Sequence, residues 1–111
     1  MRQYGIKITA LAEQDLECIS DYIAYKLRNP DAAVNTVRGI RKKINSLQNF
    51  PYRNDFYSDS FLADVGVRID YYRNYKIYYV IDDREYIVYI IRILHTLEDS
   101  GKSIRQTLGI V

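Results

Sequence analysis

VGVRIDYYRNYKIYYVIDDREYIVYIIRILH, Val65 to His95, decides the fold. Apolar and polar residues alternate along it, rich in Tyr and Ile, and short polar junctions divide it. Period-two alternation of β-favouring residues predicts strands, at roughly 65–72, 75–82 and 86–95. The junctions Tyr72-Arg73-Asn74-Tyr75 and Asp82-Asp83-Arg84-Glu85 are short enough to be hairpins. A three-stranded meander needs an apolar cover for one face. The other face is expected to be left studded with Arg, Lys and Tyr.

The first half of the chain supplies the cover. Tyr4-Gly5-Ile6-Lys7-Ile8 reads as an opening strand, added at an edge of the sheet. Thr9 then caps a helix whose apolar residues, Leu11, Ala12, Leu16, Ile19, Ile23 and Leu27, recur at helical spacing. Early acids Glu13, Asp15 and Glu17 suit the positive end of its dipole. Asn29-Pro30 breaks that helix and opens the next, Asn29 as cap and Pro30 at the first position. Ala33, Val37, Ile40, Ile44 and Leu47 form the second stripe, ended by Phe50-Pro51. So short a connection makes the two helices an antiparallel hairpin. Residues 52–64 read as a polar loop with room for a short strand at its end, and the tail from Asp99 as a short helix or a loose end. The expected architecture is α+β, β-α-α-β-β-β, an antiparallel sheet with a two-helix hairpin on one face, in a single domain spanning 1–111.

Composition narrows the chemistry. The 111 residues include one Cys and one His, which excludes an intrachain disulfide and a cysteine-rich metal site. No metal and no cofactor is expected: the acids lie in the first helix and in turns, and the five glycines form no phosphate loop. No apolar run is long enough to span a membrane, and the N-terminus lacks an unbroken apolar signal segment, so a cytoplasmic location and no membrane partner are expected. Twelve tyrosines without a single tryptophan suit half-buried strand positions, or a surface that stacks bases or seats a partner.

The remaining candidates are basic. Arg68, Lys76 and Arg92 interrupt apolar strand runs, Arg73 sits in a turn, and His95 closes the last strand. Antiparallel pairing would bring Arg68 and Lys76 within a side chain's width, a geometry that calls for an anion between them. If the chain cleaves RNA, Arg68 and Lys76 are the candidates to stabilise a pentavalent phosphate, and His95 the group to move a proton. Arg73, Arg92 and Tyr78 are candidates for binding RNA or a partner protein. The structural alternatives are an Arg68 pair with Asp70 or Asp64, a Lys76 pair with Asp82, and His95 as a core-edge histidine.

Five segments in order, ITALAEQDLECISDYI, NPDAAVNTVRGIRKKINSLQNFP, VRI, NYKIYYVID and YIIRILHTLED, resemble the RelE/ParE superfamily of bacterial toxins. The likeness spans about Tyr4 to Asp99 and implies the same two-helix, antiparallel-sheet fold. It also implies the toxin half of a type II toxin–antitoxin pair, of the kind called plasmid stabilisation proteins, with a cognate antitoxin as partner. The RelE-like branch cuts mRNA on the ribosome with Lys and Arg on the central strands and an Arg and a Tyr near the C-terminus. Here Arg68 and Lys76 stand at such strand positions with the types exchanged. Gly66 replaces a further cation, and Thr96 and Lys102 stand where the terminal Arg and Tyr are expected. The ParE-like branch, which poisons DNA gyrase, has an Ile-Leu-His ending with a nearby acid; Ile93-Leu94-His95 with Asp99 resembles that more. The resemblance therefore points to a gyrase poison, with a ribosome-dependent mRNA endonuclease, or a member that only binds antitoxin, as alternatives.

Overall fold

The computed structural model describes residues 3–58, 60–97 and 100–109. Its elements run β1 (Gly5–Ile8), α1 (Ala10–Asp21), α2 (Pro30–Ser46), α3 (Ser60–Val65), β2 (Arg68–Tyr72), β3 (Tyr75–Asp82), β4 (Ile87–His95) and α4 (Ser100–Thr107). The helices begin where the caps predict. Thr9 Oγ1 accepts from the Ala12 N–H and Asn29 Oδ1 from the Ala32 N–H, with Pro30 at the start of α2. α1 ends in one wide π turn, Tyr22–Lys26, before Arg28 reverses the chain at φ 52°.

The sheet order is β1-β4-β3-β2. β2, β3 and β4 form the expected antiparallel meander, but β1 joins β4 in parallel, Gly5 opposite Ile87 and Ile8 opposite Ile90, so the sheet is mixed. Between β1 and the meander the chain crosses by way of α1 and α2 from one edge of the sheet to the other, and β1 lies parallel to β4. A bulge separates Tyr78 from Tyr79: Tyr78 pairs with Arg92 and Tyr79 with Ile90, and Ile91 is the extra residue.

Beneath the helical hairpin, Ala12, Leu16, Ile40, Ile44 and Leu47 close over Ile77, Tyr79, Val88, Ile90 and Ile93. Leu11 and Leu27, placed on that stripe by spacing, are instead turned outward. Gly39 lets α2 approach β2, since a Cβ there would overlap the Tyr72 ring.

The opposite face is not left open. Leu62 of α3 and Ile104 of α4 pack with Val67, Tyr78, Ile91 and Leu94 into a second cluster. The loop expected over 52–64 thus contains a 3-10 turn, Pro51–Arg53, and the helix α3 rather than a strand. Gly66 at φ 98° ends α3: its N–H donates to the Ala63 carbonyl and that of Val67 to the Leu62 carbonyl. β2 accordingly starts at Arg68, not Val65, and Gly66 occupies a helix-terminating position that disfavours any side chain. The tail forms α4; Asp99 lies outside the described residues.

Candidate functional site

Strand parity separates the two cations expected to meet. Arg68 lies opposite Tyr79, on the face of the helical hairpin. Lys76 lies opposite Tyr71 and Leu94, on the face of the second cluster. No anion can be held between them, because the sheet itself stands in the way. Asp70, one suggested partner of Arg68, is buried and pairs instead with Arg53 at 3.1 Å and Lys43 at 3.8 Å.

Arg68 has other company. Its Nη1 donates to the Asn54 carbonyl at 2.5 Å, and its guanidinium lies 4.0 Å from the Phe56 ring centre and 5.1 Å from that of Tyr52. The segment carrying these rings is pinned at several points. The Tyr79 hydroxyl donates to the Pro51 carbonyl at 2.7 Å and accepts from Asn54 Nδ2 at 3.1 Å. Arg53 donates to Ser46, and the Tyr52 and Tyr4 hydroxyls both donate to Asp83. That carboxylate pushes the Tyr52 phenol well above its ordinary pKa, because ionising it would set two anions in contact. Burial raises the phenol of Tyr79 in the same direction.

His95 ends β4 on the same face as Arg68 but opposite Tyr75, with the two rings edge to face at 5.5 Å. Four residues of β3 separate those pairings, about 13 Å along the strand, so His95 and Arg68 do not converge. His95 Nδ1 accepts the Leu97 N–H at 3.1 Å, which by the logic of that bond puts the imidazole proton on Nε2. Arg73 lies at the β2–β3 turn with φ 51°, its guanidinium 5.3 Å from the Tyr72 ring centre. Tyr78 is fully buried in the second cluster, its ring 5.6 Å from Tyr57, and is out of reach of a ligand at the surface.

Arg92 is a tie rather than an open cation. Its Nε and Nη2 grip the two oxygens of Asp15 at 2.8 and 2.9 Å, and Nη1 donates to Thr107 Oγ1 at 3.1 Å. Asp15 also accepts the Ile93 N–H at 2.9 Å, and Thr9 Oγ1 donates to the Ile91 carbonyl. β1 stops at Ile8, so these two side chains of the α1 end satisfy the part of the β4 edge that β1 leaves uncovered. Sequence reasoning passed over Asp15 as one of several early acids. It also passed over Tyr52, Asn54 and Phe56 as loop, although two aromatics amid polar residues were a usable signal.

Among the described residues, no group of three or more His, Cys, Asp or Glu side chains is placed to hold a metal ion. Nor is any helix among them long and apolar enough to cross a membrane. An open groove of about 770 Å³ runs between α1 and α2 over Leu16, Val34 and Val37, rimmed by Glu13 and Glu17 on one side and Arg38 and Arg41 on the other.

The helical hairpin over a four-stranded sheet matches the fold of RelE/ParE-type toxins. The chain belongs to the ParE toxin family of type II toxin–antitoxin systems, whose family pattern matches residues 6–100. Among solved structures it is similar to a chain of the chromosomal ParDE toxin–antitoxin system from P. aeruginosa, with TM-score 0.69, 21% identity, and 84% of this chain and 96% of that one covered. It is also similar to a chain of the RelBE2 toxin–antitoxin complex from Mycobacterium tuberculosis, with TM-score 0.60, 21% identity and coverage of 86% and 93%. A third likeness, to a substituted E. coli RelE toxin in the free state, has TM-score 0.63, 12% identity and coverage of 91% and 92%. No curated protein matches at a significant level.

Proposed function

We propose that this ParE-family toxin halts bacterial growth by binding DNA gyrase, acting as an inhibitor of a protein target, and that a cognate antitoxin neutralises it. The observation that carries the reading is the separation of Arg68 and Lys76 onto opposite faces of the sheet. RNA cleavage needs cations and a proton-transfer group around one phosphate. Here Arg92 is spent on Asp15, and His95 and Lys76 lie on opposite faces. The family match supports the gyrase branch in the same direction. The antitoxin has apolar surface to cover on the helical hairpin, where Tyr22, Tyr25 and Val34 are exposed.

The test is pulse labelling just after the chain is induced without its partner, comparing thymidine with amino-acid incorporation. The gyrase reading expects DNA synthesis to fall first, with a DNA-damage response, and Lys76→Ala to remain toxic. If amino-acid incorporation falls first and Lys76→Ala abolishes toxicity, the toxin is an mRNA endonuclease. If neither falls, the chain only binds antitoxin.

A further inference from the structure

The segment 50–56 is held far more firmly than a connector needs to be. Backbone bonds join Tyr57 N–H to the Val67 carbonyl and Ile69 N–H to the Asp55 carbonyl, while Tyr79, Ser46 and Asp83 secure its side chains and carbonyls. Phe50 enters it in the left-handed region, at φ 57°. What this scaffold presents is aromatic. Tyr52 is 48% exposed and Phe56 50%, and the Arg68 guanidinium lies within 5.1 Å of both ring centres.

We propose that Tyr52, Phe56 and Arg68 form a docking site for a protein segment that carries a carboxylate next to an apolar side chain. Charge supports that occupant. Asp70 is taken by Lys43 and Arg53, Asp83 accepts from Tyr52 and Tyr4, and Arg68 forms no ion pair among the described residues. A guanidinium that no carboxylate within the fold has taken can bind one from outside. The Arg68 guanidinium lies over the Phe56 ring with Tyr52 nearby, and Nη1 is anchored on Asn54, so the group is held in place and a bidentate carboxylate loses less entropy on arrival. Half-exposed aromatics beside an arginine are also the composition of binding hot spots. A nucleic acid strand fits less well, because several successive phosphates would need cations and would meet the Asp55 and Asp83 carboxylates. The site does not depend on which target the toxin attacks.

The test is NMR titration of the isotope-labelled full chain with the peptide acetyl-Phe-Asp-Leu-Leu-amide, with its Asn counterpart and a thymidylate octamer as alternatives. The expected result is a saturable shift of the Arg68 side-chain Nε–H and of the Tyr52 and Phe56 resonances, at least tenfold weaker with the Asn peptide. Arg68→Lys keeps the charge and loses the planar fork, so it should weaken binding at least tenfold while the rest of the spectrum is unchanged. Tyr52→Ala, a second variant at a half-exposed site, should weaken it as well. The proposal is overturned if no saturable shift occurs, if the octamer shifts these resonances and the peptide does not, if the Asn peptide or Arg68→Lys binds as well, or if the shifts track protein concentration alone, as self-association would.

Discussion

One face of the sheet is closed by α1 and α2, of 12 and 17 residues; the other by α3 and α4, of 6 and 8. The long pair carries its own caps and repeating apolar stripes, and each helix contributes several residues to one core. Among the described residues the short pair brings one buried apolar anchor each, Leu62 and Ile104. A helix of two turns is unstable alone and exists because it docks. The two faces should therefore fail differently, the first by global unfolding and the second by local detachment.

Substitution separates these modes. Ile40→Ala empties a fully buried position between α2 and the sheet. It should cost about 2–5 kcal/mol of unfolding free energy, the usual range for such a cavity, read as a lower denaturant midpoint with an unchanged slope. Ile104→Ala should cost about 2 kcal/mol, the low end of that range, because α4 can leave rather than enclose a void. Hydrogen exchange would show the difference: amides of α4 lose protection in Ile104→Ala while those of α1 and α2 keep theirs. If Ile104→Ala instead loosens both faces alike, the second cluster is part of one cooperative core.

The same contrast governs what could be read from the sequence. Thr9, Asn29 and Pro30 announced their helices because capping is a local chemistry, decided within four residues. The Ile40 and Ile44 stripe repeated for long enough to be unmistakable. α3 had no such run, and its clearest mark, Gly66 at its end, reads in sequence as an interruption of a strand pattern. The parallel placement of β1 was hidden because alternation reveals a buried face but not a direction. The site suffered from the same limit. Whether Arg68 and Lys76 share a face depends on the pairing register across the turn, and that register puts them apart.

Arg92 joins the two sides, gripping Asp15 of α1 with one edge and reaching Thr107 of α4 with the other. Its side chain is 20% exposed and that of Asp15 is 13% exposed, so the pair is largely removed from water. Removing one partner of such a pair leaves the other charge poorly solvated. Arg92→Ala should cost roughly 2–3 kcal/mol on that account, and should raise exchange in α4 as well as at the start of α1. A change confined to α4 would mean that Thr107, rather than Asp15, is the partner that matters.

The smallest expected effect concerns another arginine–carboxylate pair, this one in the open. Arg41 Nη1 and Nη2 donate to the two oxygens of Glu13 at 3.0 and 2.9 Å, yet the side chains are 43% and 45% exposed. The hydrogen bonds from Arg41 hold the Glu13 carboxyl below its ordinary value of 4.5. A carboxylate depressed in the folded state adds stability above its unfolded value, and that increment disappears as pH falls through the folded value. The contribution should therefore be complete at pH 7 and vanish in the acid range below about 4.5. Solvent screening limits it to about 0.2–1 kcal/mol, and salt should reduce it further. Glu13→Gln measures it: the variant should be slightly less stable than the parent at neutral pH, and the gap should narrow as pH falls below about 4.5 towards 3. A gap that persists undiminished at pH 3 would mean that Glu13 acts through packing over the groove between α1 and α2, and that exposure does not set the worth of an Arg–carboxylate pair in this fold.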